Sequence, residues 1–345
     1  MKKLMLLIMG IGLVFGGCSH GNQKVVSKPV SKPVEKEVSQ KANEENVIQA
    51  YAPLKGEPVN AVSNQRPVAV MVNNHHLARP QSGLSKADVV YELLAEGDIT
   101  RLLAIFQNDL PERIGPVRSA REYYIKLANG YHALYICHGN SPQAKAMMDA
   151  GEIDALNGLI YDGTLFKRDH HRRAPHNSYI YKEGIEKGVV KKHYSFSENV
   201  TPLLFLHQAM SYDSTWQKVG QVFIKYSYDP YNNVTYKYNE PKKQFQRIQK
   251  GVIATDAETK KELEIKNILI VEAKHKIIDS YGRRSIDLQS GGNGYFITEG
   301  MMKKVHWKNV NGRILPFDTE GKEVDFLAGQ TWINFVPALK DVTIN

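Results

Sequence analysis

The feature that most limits the fold is the texture of the chain beyond Trp216, where short alternating runs are punctuated by turn residues. Val222–Tyr228 and Val234–Tyr238 alternate on either side of Asp229-Pro230-Tyr231-Asn232-Asn233, a hairpin-turn signal. Asn267–Glu272 is apolar and rich in β-formers, and Gly294, Glu299-Gly300 and Gly329 each precede another such run. A period of two gives each run one face for a core, so residues 213–345 are expected to form a β-rich part. Ser290-Gly291-Gly292-Asn293-Gly294 reads as a turn between strands, because no helical pattern follows it. Trp307 and Trp332 are expected in the core.

Residues 61–212 read differently. Pro67–Asn73 is a buried-strand pattern. Val89–Glu96 and Thr100–Gln107 read as a hairpin around Gly97-Asp98, with a helix the competing reading for 86–96. Gly115-Pro116 is expected to open a helix with Val117, Ala120, Tyr124, Leu127 and Ala128 as its apolar stripe. His132–His138 follows as a strand, then a short helix from Ser141-Pro142 to Gly151 and a further one over Lys182–Lys192. This βαβ-like rhythm with a hairpin predicts an α+β fold. Its expected form is mixed β-sheet layers with helices on one side, an N-terminal α/β part and a β-rich C-terminal part. Whether the parts share a sheet is open at this point.

The first residues carry a compartment signal. Lys2 and Lys3 precede an apolar run, Leu4–Phe15, which is too short to span a bilayer core of roughly 30 Å. Gly16 and Gly17 then precede Cys18, so residues 1–17 are expected to be a lipoprotein signal peptide and Cys18 the lipidated residue. Phe15 departs from the leucine usual at that position. Acyl chains on Cys18 would hold the protein at the outer face of the cytoplasmic membrane. Residues 18–60 are expected to be a disordered tether, because Ser27-Lys28-Pro29-Val30 repeats at once as Ser31-Lys32-Pro33-Val34 and apolar surface is scarce.

The rest is globular in composition, with 42% hydrophobic and 23% charged residues. The net charge of +9 would suggest nucleic acid in a cytosolic protein, but export redirects it toward anionic envelope components. Cys137 is the one cysteine besides Cys18, which excludes an intramolecular disulfide framework in the anchored form. It sits in an apolar strand pattern and is expected to be a buried, inert thiol.

Candidate chemistry gathers in the first half. Arg79 and Gln81 stand in a polar loop. Arg101 begins a strand and could face Glu96, while Arg118, Ser119 and Arg121 surround the expected helix start. On a helix, Arg118 and Arg121 would share a face, and the helix N-terminus could hold an anion. The structural alternative pairs these arginines with Glu92, Glu96, Asp98 and Glu122. His176 and Asn177 follow Pro175, and a histidine there could serve as acid or base. Glu92 or Glu96 working with His176 would make a hydrolase or transferase. Yet no Gly-x-Ser-x-Gly, His-Glu-x-x-His or P-loop occurs, so whether the chain is an enzyme stays undecided. No metal set and no cofactor motif is recognised. The pairs His75-His76 and His170-His171 would diverge on a strand and make poor bidentate ligands.

Residues 66–74 (RPVAVMVNN), 79–107 (RPQSGLSKADVVYELLAEGDITRLLAIFQ), 115–121 (GPVRSAR), 174–177 (APHN), 295–309 and 328–337 resemble the YerB-like family of lipoproteins over nearly all of 62–340. The resemblance implies a lipidated, extracytoplasmic protein with an α+β fold. It supplies no activity and no catalytic residue. The expected function is therefore binding of an anionic wall polymer, or of a membrane-protein partner, through Arg79, Gln81, Arg101, Arg118, Ser119, Arg121, His176 and Asn177. Nucleic acid is not expected.

Overall fold

The computed structural model describes residues 50–345. The expected signal peptide, Cys18 and the part of the expected tether up to residue 49 lie outside the described residues. Residues 50–60, expected to belong to that tether, are folded instead. Ala50–Tyr51 pairs antiparallel with Pro58–Val59, and Ala52 and Leu54 between them are buried. Leu54 joins a hydrophobic core, and the neighbouring carbonyls of Pro53 and Lys55 accept from Leu203 and Gly329.

The first-half pattern produces β1 (Val68–Asn73), β2 (Val89–Leu94) and β3 (Thr100–Phe106). β2 and β3 form the expected antiparallel hairpin, with Val89 opposite Ile105 and Leu94 opposite Thr100. α1 (Glu122–Asn129), β4 (Leu134–Cys137), α2 (Pro142–Asp149) and β5 (Ala155–Asn157) follow. Ser141 caps α2 by accepting from the Ala144 N–H at 3.1 Å, with Pro142 in the first turn. β6 (Phe166–Arg168) and β7 (Ser178–Tyr181) make a small separate sheet, and α3 spans Lys182–Lys192.

The second half adds β8 (Gln221–Ile224), β9 (Val234–Asn239), β10 (Gln244–Gln249), β11 (Ile265–Glu272), β12 (Gly292–Thr298), β13 (Met301–Val310) and β14 (Gln330–Val336). The two halves share one sheet, ordered from Val342–Ile344 through β8, β9, β10, β11, β14, β2, β3, β1 and β4 to β5. β14 lies parallel to both β11 and β2 and so joins the halves. β1, β2, β3 and β14 are buried at every position, which explains their near-continuous apolar runs. Trp307 and Trp332 are both core residues.

The fold is α+β with a β-rich C-terminal part, but the helices do not lie on one side. Successive β1 residues face opposite ways. Val68, Val70 and Val72 cluster with Ile185 and Val189 of α3, whereas Ala69 and Met71 cluster with Tyr124 and Ile125 of α1. A sheet apolar on both faces requires cover on both.

A second correction concerns Gly115-Pro116, which does not open a helix. The Pro116 carbonyl accepts from Asn73, Arg118 N–H donates to Met71, and Val117 N–H donates to Ser178. These bonds to β1 and β7 hold 116–118 extended, and α1 begins only at Glu122. Arg121 is the residue before that helix and Arg118 lies outside it, so they share no helical face. Among the described residues no helix is long and apolar enough to cross a membrane.

Candidate functional site

β1, β4 and β5 are parallel, so their carboxyl ends share one edge of the sheet. Loops following parallel strands are where open sheets place ligands. Asn73, the last residue of β1, organises this edge. Its Oδ1 accepts from the His75 N–H at 3.0 Å, which leaves its Nδ2 to donate to Nδ1 of His176 at 2.9 Å. A neutral imidazole accepting at Nδ1 carries its proton on Nε2. His75 is fixed the same way, because its Nδ1 accepts from the Leu77 N–H at 3.2 Å.

The His75 and His176 rings stack with centroids 4.6 Å apart, and His76 lies 4.2 Å from His75. The adjacent histidines do not diverge as on a strand, because the chain there enters a tight turn at His76–Ala78. Burial, then the charges of His76, His176, Arg79 and Arg118, lowers the His75 pKa to about 4. His176 is also lowered, by burial first and then by Arg118, His76 and Arg172. Arg118 is itself lowered, mainly by its burial. Among the described residues no group accepts a hydrogen bond from its guanidinium; Glu96 only acts on it at a distance. Among the described residues, His75, His176 and the Arg118 guanidinium thus offer donors there, and no carboxylate is hydrogen-bonded to any of the three.

The other candidates shape the walls. Arg79 donates to the Asn74 carbonyl at 2.6 Å and to that of Tyr231 at 3.0 Å. Burial, then the charge of Arg247, lowers its pKa to about 10. Gln81 Nε2 donates to the Asn73 carbonyl at 3.0 Å. Ser119 Oγ donates to the His138 carbonyl at 3.2 Å, and Asn177 Oδ1 accepts from Arg168 at 3.0 Å. Arg172, which the sequence reading passed over, donates to the carbonyls of Ala78 and Pro80 and so ties the 167–176 loop to the 75–81 loop.

Arg101 and Arg121 belong to the scaffold. Both bind Glu96, as the structural alternative had it, and Arg101 also donates to the Ser119 carbonyl at 2.9 Å. Glu92 is fully buried and binds Arg247 through both oxygens, at 2.7 and 3.0 Å. It also accepts from Asn74 and Thr100. Neither carboxylate approaches His176, whose bond goes to Asn73, so the expected glutamate–histidine catalytic pair is not assembled here.

A serine–histidine contact does occur nearby, between Ser178 Oγ and His138 Nδ1 at 2.7 Å. Its polarity is the reverse of a hydrolase couple. Arg168 Nη2 stands 3.1 Å from His138 Nε2, and a guanidinium only donates. The His138 proton is therefore on Nδ1 and points at the serine oxygen. A nucleophilic serine needs the opposite, a hydroxyl donating to the imidazole. Cys137 beside it is fully buried, and burial pushes its thiol up to about 12.

Asn73, His75 and Arg172 were missed in the sequence. The available signal was the abrupt switch from VAVMV to Asn73-Asn74-His75-His76 at a buried strand's end.

The fold and this edge define a mixed-sheet α+β protein with hydrogen-bond donors gathered at the carboxyl end of β1. The chain belongs to the family described as protein of unknown function (DUF3048), whose N-terminal domain matches residues 54–195 and whose C-terminal domain matches residues 222–333. It is 47% identical over 296 residues to "Putative lipoprotein YerB" of Bacillus subtilis (strain 168), covering 85% of this chain and 88% of that protein. The crystal structure of the YerB protein from Bacillus subtilis superposes with a TM-score of 0.80 at 46% identity, covering 86% of this chain and all of that one.

Proposed function

We propose that this protein is a lipoprotein anchored through Cys18 to the outer face of the cytoplasmic membrane, and that it binds an anionic envelope polymer at the carboxyl edge of β1. One observation carries the binding reading. Arg118, whose guanidinium has no hydrogen-bond acceptor among the described residues, lies near enough to His75 and His176 for its charge to lower both pKa values, and each ring holds its Nδ1 as an acceptor and so keeps Nε2 as a donor. Donors converging without a carboxylate suit phosphate or carboxylate oxygens. The net charge of +9 favours the same partners, and the name of the Bacillus subtilis relative supports the anchor.

The test uses the full lipidated chain in liposomes. Binding of a purified wall polyphosphate is measured for the wild type and for Arg118→Ala and His176→Ala, with thermal unfolding as the control for folding. Loss of binding in both variants supports the reading. Equal retention of the polymer by all three proteins overturns it, as does membrane crosslinking that captures a protein partner and no polymer.

A further inference from the structure

Beside the histidine edge, and sharing His76 with it, lies a cavity of about 240 Å³ between the 75–81 loop and the end of β10. Such a volume has room for several waters or a short alkyl chain. Pro80, Tyr231, Val252, Ile253 and Ala254 supply apolar wall. Arg79, Gln249 and Lys250 supply the polar part. Two features of that polar part stand out. The Gln249 side chain is 6% exposed, and its amide nitrogen has no hydrogen-bond partner among the described residues. Arg79 donates only to carbonyl oxygens, and its Nε has no partner among those residues either. Buried donors left without acceptors are costly, and a ligand oxygen relieves that cost.

Resting on the anion reading above, we infer that this cavity takes the apolar part of an amphiphilic anion. The acidic head sits against Arg79 and the histidine edge, and a short aliphatic segment lies along Tyr231, Val252 and Ile253. Charge selects the head: Arg79 and Lys250 are both cations, and Lys250 stands 5.6 Å from the Tyr231 ring. Apolar wall beside a cationic end suits neither a plain inorganic ion nor a neutral hydrocarbon. The ligand class is thus an alkyl phosphate or alkyl carboxylate, free or as the end of a lipid.

The experiment compares inorganic phosphate, octyl phosphate and octanoate by calorimetry on the full-length protein in neutral detergent micelles. The wild type is expected to bind one of the two alkyl anions at least about tenfold more tightly than inorganic phosphate, the effect of burying about two methylenes. Octanoate against octyl phosphate separates a carboxylate head from a phosphate head, and an advantage for either supports the site. Val252→Asn, an uncharged polar change at a residue 70% exposed, should shrink the advantage severalfold, and inorganic phosphate, which does not use the apolar wall, should bind as to the wild type. Gln249→Leu should weaken the alkyl anion severalfold. Equal affinity for inorganic and alkyl anions in the wild type overturns this inference and leaves the anion edge standing. An undiminished advantage in Val252→Asn also overturns it. Absence of any binding overturns both readings.

Discussion

Glu92 of β2 and Arg247 of β10 form a bidentate ion pair at 2.7 and 3.0 Å, with both side chains essentially out of solvent. The pair joins the two halves of the chain across the shared sheet. Further hydrogen bonds support it on both sides. Asn74 and Thr100 donate to Glu92, and Arg247 also bonds the Tyr236 hydroxyl at 2.8 Å and stacks 4.6 Å from the Trp332 ring. Asn74 follows directly on Asn73, which holds His176, so the pair also fixes the base of the histidine edge.

Removing one member should be far worse than removing both. Glu92→Gln leaves a buried guanidinium without its counter-charge, a loss of about 3–5 kcal/mol. Arg247→Met strands the carboxylate at a similar cost. The double substitution should recover much of that loss, because neither charge is left buried alone. Urea unfolding of the four proteins measures this. Single variants within about 1 kcal/mol of wild type would show that the pair is not coupled as described.

Arg118 and Arg121, three apart in sequence, should behave oppositely. Arg121 binds Glu96 and the Ala120 carbonyl, so Arg121→Ala is expected to cost about 1–3 kcal/mol of stability. The Arg118 guanidinium gives no hydrogen bond among the described residues, and the backbone bonds of Arg118 survive truncation, so Arg118→Ala should leave stability within about 1 kcal/mol while abolishing anion binding. Stability and binding measured side by side check both. A strongly destabilised Arg118→Ala would make that arginine a scaffold residue.

What was legible in the sequence was local. The β2–β3 hairpin followed from alternation around Gly97-Asp98, and α3 over Lys182–Lys192 from its own pattern. What was not legible depends on distant partners. The extended course of 116–118 is dictated by hydrogen bonds to Met71, Asn73 and Ser178, which no local propensity encodes. The insertion of β14 between β11 and β2 is likewise a long-range pairing. Of the proposed site, Arg118 and His176 could be nominated from their local sequence, a Gly-Pro-Val-Arg-Ser run and an Ala-Pro-His-Asn run. The roles of Glu92 and His75 were not, because their partners Arg247 and His176 come from remote segments.

The polarity at His138 gives a spectroscopic prediction. Nitrogen NMR should find the proton on Nδ1 and a bare Nε2, since Arg168 donates to the latter. Ser178, 1% exposed and accepting from that Nδ1–H, should resist a fluorophosphonate probe. Labelling of Ser178 would reverse the assignment and restore a nucleophilic reading. Arg168→Ala should release the constraint and allow the other tautomer.

The histidine edge should make anion affinity depend on pH in one direction. The His75 pKa lies near 4 in the folded protein, against an ordinary value of 6.5. An anion placed beside the ring favours its charged form and raises that pKa toward the ordinary value. The bound protein then holds more protons than the free protein between about pH 4 and 6.5, so affinity must rise as pH falls through that window. Sulfate is the suitable probe, because its own charge is constant there. The unliganded protein should lose stability over the same fall in pH, since the unfolded chain takes up the proton first. His75→Gln should flatten both dependences relative to wild type. Sulfate affinity that stays level from pH 6.5 to 4.5, or a His75→Gln protein with an unchanged profile, would remove His75 from the site.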